Sequence, residues 1–565
     1  MRYSNYSITT NKETSSENAV NAQLLTKAGF IRKTLAGAYT FLPMGLKVLR
    51  NIEQIVREEM ESVGCQEMLM PSLVPKENWV QTGRWDTVDV LYKMTISDGK
   101  EVALAPTHEE TVTPLMNEFL NSHKNFPASV YQFQTKFRNE PRAKSGLLRG
   151  REFLMKDAYS FHTSQECLDE YYEKMATAYH RVYERLGLGD ITKYVYASGG
   201  DFSQFSHEFQ TISPIGEDEI YYIPSEDKYL NKEIVASQAP KVSYQDETEK
   251  PMETVVGENI TGLEAIAEFL NIEVERTTKT VMFTTETGQL VAAAVRSGYD
   301  IDEHKLQTIL GCESLTFATD EQLASVGTTA GYVGIIGLPA SVKIICDESM
   351  ENRLNFEMGS NEKNKHLINV NWNRDVEKPA QFYDIKTPKP GDFYPKTGEK
   401  YEVMNAVEVG NIFKLGTKFT DAFKFNHIAE NGKSEPVVMG CYGIGISRVM
   451  GVIAEIFADE KGLVWPQNIA PYQVYLAVFG KNQELYDQGT EIYETLQNAG
   501  ITVFFDDRQG KKFGPGVKLG DFELMGMPKC VVLSDRIENG KVEIIDRKTG
   551  DKELVEISQL VSKLS

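Results

Sequence analysis

No Cys-x-x-Cys pair occurs anywhere in this chain. Its six cysteines, Cys65, Cys167, Cys312, Cys346, Cys441 and Cys530, are scattered singly. That pattern argues against a structural zinc knuckle and fits a reducing compartment, so a cytoplasmic protein is expected. No apolar run is long enough to cross a bilayer, which excludes a helical membrane span. The opening stretch, MRYSNYSITTNKETSSEN, is polar and lacks the apolar core of a signal peptide. Positive charge is in deficit: 60 Lys and Arg stand against 81 Asp and Glu, for a net charge of −21. Such a surface repels polyanions at long range, so any nucleic-acid contact has to be local. Internal repeats are absent as well.

What the chain does have is one concentrated basic segment. Between Phe137 and Asp157 it reads FRNEPRAKSGLLRGREFLMKD. From 136 to 156, Lys136, Arg138, Arg142, Lys144, Arg149, Arg151 and Lys156 are balanced only by Glu140 and Glu152. An Arg and a Glu stand two residues apart, a basic loop follows, and Arg149, Phe153 and Asp157 recur at four-residue steps. Near residue 440 a glycine-rich turn, GCYGIGISR, runs into Arg448. An enzyme that activates a carboxylic acid with ATP needs these groups. Planar Arg forks neutralise phosphate charge as it shifts, while a carboxylate and a ring grip adenine by edge and face. The loop also suits the end of an RNA strand.

Taken in order, the two segments resemble motifs 2 and 3 of the class II aminoacyl-tRNA synthetases. By that resemblance Arg138 bridges the α-phosphate and the amino-acid carboxylate, Glu140 accepts from the adenine amino group, and Phe153 stacks on the ring. Arg448 holds the γ-phosphate opposite the basic loop with Arg149 and Arg151. Arg138 and Arg448 are the catalytic candidates. Magnesium is implied, with Glu408 as its protein contact, and Gln210 and Glu408 join the ATP-binding set. In the general pattern Gly-x-Gly-x-Gly-x-x-Arg the first glycine falls on Cys441, followed by Gly443 and Gly445. The pocket floor departs from the pattern there.

APTHEE (105–110) supplies Thr107 and Glu109. A hydroxyl beside a carboxylate suits a cationic amine, and the same residues also suit a helix N-terminus. The pair resembles the Thr-x-Glu loop of threonyl, seryl and prolyl enzymes. REFLMKDAYSFH (151–162) and SGGDFSQFSHEFQ (198–210) resemble the bacterial-type prolyl-tRNA synthetases over essentially the whole chain. The resemblance implies a proline pocket, with Met155 and Phe205 walling the ring, Asp157 and His207 fixing the rim, and Arg138 and Cys441 completing it. Met155 stands where a threonyl enzyme presents a zinc-binding cysteine, which speaks against catalytic zinc. The alternatives are a synthetase for threonine or serine, and a non-catalytic paralogue that binds tRNA.

The fold class expected is multidomain α/β: an antiparallel-sheet class II catalytic core, an inserted α/β domain and a C-terminal α/β domain. In GLKVLRNIEQIVREEMESV (45–63), Leu49, Ile52, Val56, Met60 and Val63 form one helical stripe. This helix and the strand ending at Pro71 resemble motif 1, which implies a homodimer. The boundaries read are 1–223 and 408–470 for the core, 224–407 for the insertion and 471–565 for the C-terminal domain. Residues 224–255 read as a linker. Alanine is smaller than proline, so a pocket admitting proline discriminates only weakly against it. The insertion resembles the editing domain that clears alanine from prolyl tRNA, through Lys279, Gly331 and Gly334 of the glycine loop, Asp347 and His366; a domain that merely orients tRNA is the other reading. The last domain resembles an anticodon-binding domain, with Asp507, Arg508 and Lys518 as contacts.

Overall fold

The structure, a computed structural model, describes residues 1–11, 17–200, 205–242, 244 and 247–564, with the backbone alone at Phe205. The chain folds as two compact units, one of residues 1–218 with 405–565, the other of residues 219–404. Among the described residues no helix is long and apolar enough to cross a membrane.

In the first unit, helix Pro43–Ser62 buries the stripe of Leu49, Ile52, Val56 and Met60, with Val48 and Ile55 beside it. Each such side chain contributes about 1.5–3 kcal/mol relative to exposure. Val63 falls just past the helix and is partly buried against the same core. The central sheet is built on the antiparallel pair Ala128–Phe137 and Glu152–His162, which sets Lys136 opposite Phe153 and Gln134 opposite Met155. Strand Val438–Ile444 follows, setting Gly443 opposite Asp157 and Cys441 opposite Tyr159. Then come Glu402–Gly416, Phe205–Ile212 and Thr192–Ser198, all antiparallel. Gln66–Glu67 runs parallel to Ala128–Phe137 on the other side.

Strands alternate faces, so Phe153, Met155, Asp157, Cys441 and Gly443 share one face. The intervening residues meet helix Gln165–Arg185, where Tyr172, Tyr179 and Tyr183 are buried. The strand Val438–Ile444 hands the chain through Gly445 to helix Ile446–Ile456, with Arg448 in its first turn.

Toward the C-terminus, Val503–Asp506, Val474–Phe479 and Lys529–Ser534 lie side by side in parallel, with helices Gln483–Asn498 and Pro515–Met525 as connections. The hairpin Lys541–Asp546 and Lys552–Glu556 extends them antiparallel. This is the strand–helix–strand–helix–strand order read from the sequence. One face of this sheet has its own core, with Leu476, Val478, Ile492, Phe505 and Val531, while the other shares a core with the rest of the unit. Phe504, Phe522 and Met525 join the cluster that holds Val48 and Ile52, and Phe30 stacks on Trp465 at 5.5 Å.

In the second unit, Thr278–Thr285 and Leu290–Arg296 form a hairpin turned at Gly288 (φ +80°), flanked by Leu315–Phe317 and, in parallel, Lys343–Cys346. Glu253–Val256, Lys365–Val370 and Phe356–Gly359 form a second sheet. The stretch read as a linker is partly structured. Lys228–Asn231 pairs with Ile220–Ile223, and Tyr221, Leu230, Val235 and Tyr401 make a small core there. A few apolar residues with a sheet partner outweigh a polar, proline-broken composition.

Candidate active site

A cavity of ≈ 200 Å³ opens on the sheet face that carries Phe153, Met155 and Asp157. It unites stretches far apart in sequence. Thr107 and Glu109 come from the start of helix Glu109–Asn117, Arg138 and Glu140 from just past Ala128–Phe137, and Arg149 from the basic loop. Glu408, Asn411 and Phe413 come from Glu402–Gly416, with Cys441 and Arg448 from the glycine-rich turn region.

Most of the charge in this cavity is already paired. Arg149 donates to Glu140 through Nε at 3.0 Å and Nη2 at 2.8 Å. Arg448 reaches the Glu408 carboxylate at 3.2 Å and donates to the carbonyls of Glu408 (2.7 Å) and Leu148 (2.8 Å). Asp157 pairs with Lys136 at 2.7 Å. Among the described residues, Arg138 and Glu109 are the two charged lining residues without an ion-pair partner. The Arg138 guanidinium lies 5.3 Å from the Phe153 ring centre. Burial, then the neighbouring Arg448 charge, push its pKa down. Glu109 is buried and receives two neutral donors, the Thr107 hydroxyl and the Cys441 thiol at 3.2 Å. Burial and the Glu109 charge push the Cys441 pKa well up, so the thiol stays protonated and donates. One free guanidinium and one free carboxylate, with Met155 and Phe413 as apolar wall, complement a small zwitterion.

Two residues behind the wall escaped the sequence reading. Lys136 is fully buried, and His108 Nδ1 sits 2.5 Å from its Nζ. The other His108 nitrogen, Nε2, donates to the Pro71 carbonyl at 3.1 Å. Burial and the Lys136 charge push the His108 pKa down to about 4, so this ring is neutral. Burial alone would raise the Asp157 pKa; Lys136 and His108, with the Gln132 and Tyr159 donors, hold it below the ordinary range. The one signal for Lys136 was its period-two position with Arg138.

Other expected contacts lie outside the cavity. Arg151 turns to backbone, donating to the carbonyls of Glu140 (2.9 Å) and Ala36 (3.1 Å). Gln210 is buried and donates to Glu208 and Asp218, each at 2.9 Å. His207 pairs across the sheet with Ile412, which puts it on the helix-covered face. There its ring stacks on Tyr194 at 4.4 Å, and Nδ1 lies 2.8 Å from the Tyr172 hydroxyl. The correction follows from alternation: a residue paired with Ile412 cannot face the side that Phe413 lines. The Phe205 side chain lies outside the described residues. Among the described residues no cluster of three or more His, Cys, Asp or Glu could hold a metal ion. The Glu408 carboxylate also accepts from Asn411 at 2.7 Å.

In the second unit, Lys279 is partly exposed and pairs with Asp300. His366 is buried between the Glu357 carboxylate (Nδ1, 2.9 Å) and the Ile260 carbonyl (Nε2, 3.1 Å). Burial opposes its charge, but Glu357 raises its pKa overall. Glu357 also accepts from the Thr278 backbone N–H at 3.3 Å, tying His366 to the strand of Lys279. Gly331 takes φ +83°, and the Gly334 N–H already donates to Asn361 at 2.9 Å. Asp347 is buried and gives both oxygens to backbone N–H groups, of Ser349 (2.9 Å) and Ile385 (2.8 Å). Two of its roughly four acceptor sites are thus taken by backbone, which ties the Asp347 side chain to the chain around it.

The three C-terminal candidates are likewise engaged internally. Asp507 accepts from the Ser4 backbone (2.8 Å) and hydroxyl (2.6 Å). Arg508 grips Asp506 and Asp521 and lies 3.7 Å from the Tyr3 ring centre. Lys518 is fully buried and donates to the carbonyls of Val478 and Asp506, each at 3.0 Å. In that turn Lys511 and Lys512 are the exposed cations.

Residues 92–457 match the tRNA synthetase class II core domain (G, H, P, S and T), and residues 473–565 match an anticodon binding domain. The proline–tRNA ligase of Bacillus cereus (strain AH187) is 39% identical over 541 residues, covering 95% of this chain and 94% of that protein. The proline–tRNA ligase of Aquifex aeolicus (strain VF5) is 38% identical over 567 residues, covering 99% and 98%. Among solved structures, the prolyl-tRNA synthetase of Cryptosporidium parvum complexed with halofuginone and AMPPNP superposes with a TM-score of 0.57 at 16% identity, over 96% of this chain and 75% of that one. Its complex with L-proline and AMP gives 0.55 at 16% identity, over 96% and 76%. The chain belongs to the proline–tRNA ligases, a family of class II aminoacyl-tRNA synthetases.

Proposed function

We propose that the cavity activates proline with ATP and that the prolyl group then passes to the 3′ end of a tRNA. The observation that carries this reading is that Arg138 and Glu109, neither with an ion-pair partner among the described residues, share one small cavity walled by Met155 and Phe413. The proline ammonium meets Glu109 and the Thr107 hydroxyl, and its carboxylate meets Arg138. A carboxylate oxygen attacks the α-phosphorus, a P–O bond forms, and the bond to the leaving pyrophosphate breaks. Arg138 neutralises the charge on the reacting α-phosphate oxygens, so the work is positioning and electrostatic stabilisation rather than protein nucleophilicity. Phe153 offers a ring to adenine, and Glu140 and Arg149 offer an acceptor and a cation at its edge. Arg448 holds the terminal phosphate. Magnesium, when bound, supplies charge neutralisation on the phosphates. Glu408 is the residue that would contact it, and the rest of its coordination would fall to nucleotide oxygens and water.

The resemblance of unit 219–404 to an editing domain supports hydrolysis of alanine mischarged on the same tRNA, with Lys279 and the His366–Glu357 pair as its groups. A homodimer is proposed on the segment after helix Pro43–Ser62, where Leu69, past strand Gln66–Glu67, and Leu73, at the start of strand Leu73–Pro75, are exposed apolar side chains. The deciding experiment is tRNA-free ATP–pyrophosphate exchange with proline, alanine, threonine and serine. Strong exchange with proline and weak exchange with alanine is expected. Exchange driven by threonine or serine would reassign the substrate, and none with any of the four would reject the activity.

A further inference from the structure

The cavity wall holds a second carboxylate close to the one that faces the substrate amine. Asp157 lines the cavity with Glu109, and both influence the same buried groups, Tyr159 and Cys441. A zwitterionic amino acid brings one ammonium. Two uncompensated carboxylates in a buried cavity would repel each other and the substrate's own carboxylate. Lys136 resolves this from behind the wall. It does not line the cavity, yet its Nζ is 2.7 Å from Asp157 Oδ1. Its own surroundings are arranged to keep it there. The neutral His108 ring turns a lone pair to Nζ, since its other nitrogen donates to the Pro71 carbonyl. Gln132 at 3.0 Å and the Tyr159 hydroxyl at 2.8 Å hold the other Asp157 oxygen. Gln132 is itself fixed by the Met70 backbone N–H at 2.9 Å.

We propose that Lys136 is a specificity-determining positioning residue: by cancelling Asp157 it leaves the pocket with a single effective negative charge, Glu109, matched to the single ammonium of proline. This rests on the reading of the cavity as the amino-acid site. Lys136 touches no substrate and acts through Asp157. Its deletion therefore penalises the amino acid and spares the nucleotide.

The experiment is a double-substitution cycle read by ATP–pyrophosphate exchange on the full chain. Lys136→Met should raise the KM for proline at least about tenfold, as expected when a buried ion pair loses one partner, and leave the KM for ATP within about twofold. Asp157→Asn strands the Lys136 cation beside Glu109 and should also raise the proline KM. Combining Lys136→Met with Asp157→Asn should return it to within about threefold of the unsubstituted enzyme, because charge neutrality is restored. Additive losses in the double variant, or a proline KM indifferent to Lys136→Met, would overturn the proposal. Should Lys136→Met alone not fold, the comparison of Asp157→Asn with the double variant decides by the same criterion. Failure of the underlying reading is distinguishable, since the unsubstituted enzyme would then show no proline-dependent exchange at all.

Discussion

Lys156 and Asp157 are neighbours on one strand, and alternation sends them to opposite faces of the sheet. Asp157 reaches the cavity. Lys156 is fully buried on the helix side, donating to the Tyr179 hydroxyl at 2.6 Å and the Tyr442 carbonyl at 3.0 Å. Burial pushes its pKa down to about 7. The unfolded chain then binds the extra proton more readily than the folded one between that value and the ordinary lysine range near ~10.4. Stability therefore rises with pH across that window, by up to about 1.4 kcal/mol per pH unit, and the benefit is lost as pH falls through 7. Lys156→Met should flatten that rise. Parallel denaturant titrations of both proteins from pH 7 to pH 10 test it, and equal slopes would mean that Lys156 is not depressed. Arg138 belongs to the same scale: Arg138→Ala removes the one lining guanidinium without an ion-pair partner among the described residues and should lower proline-dependent exchange by ~10²–10³-fold with folding unchanged. Near-normal exchange would take the adenylation chemistry away from this cavity. Arg138, Glu140, Phe153, Met155 and Asp157 were legible because motif and alternation agree on their face. Lys136, Lys156 and Lys518 were not: a lysine in a basic stretch reads as solvated, and nothing in residue type tells that its amine is buried.

Helices and strands were more legible than the loops between them. The stripe of helix Pro43–Ser62 and the alternation of helices and strands after residue 471 follow from hydrophobic period alone. His207 went astray because the face of Phe205–Ile212 is set by its pairing with Glu402–Gly416, a register that no local pattern carries. The glycine loop of the second unit shows the opposite case. A Cβ at Gly334 would lie 1.8 Å from the Gly359 carbonyl oxygen, and one at Gly359 would lie 2.3 Å from the Tyr332 carbonyl oxygen. The loop thus closes backbone to backbone on strand Phe356–Gly359, and no side chain can yield to make room. Gly334→Ala should destabilise the loop by about 1–3 kcal/mol. Hydrogen exchange would show it as lost protection in 327–339 and 356–359, with proline-dependent exchange unchanged. Retained protection would mean that the loop has space the geometry denies it.

At the scale of the molecule, the two proposed activities fall in different units. Every lining residue of the adenylation cavity belongs to residues 1–218 and 405–565, and Lys279, Glu357 and His366 all belong to 219–404. The C-terminal region is not separable in the same way. Its Phe504, Phe522 and Met525 share a core cluster with helix Pro43–Ser62, and Met1 to Ser4 dock on its strand and turn. Deleting it would expose that core, so point substitutions are the sounder probe. Net charge points the same way: at −21 the chain meets a polyanion only through local basic patches. The second unit has its own clusters around Phe283, Val291 and Ile345 and around Met350 and Phe356. A substitution at partly exposed Lys279 disturbs neither them nor any lining residue of the cavity. Lys279→Ala should therefore leave proline charging of tRNA within about twofold, while alanyl-tRNA accumulates because its ester is no longer cleared. Following alanine and proline attachment to one tRNA over time, in the substituted and unsubstituted proteins, separates the two activities. Clearance of alanyl-tRNA at the original rate would remove Lys279 from the hydrolytic site. Loss of proline charging would show instead that the two units do not act as independently as their separate cores imply.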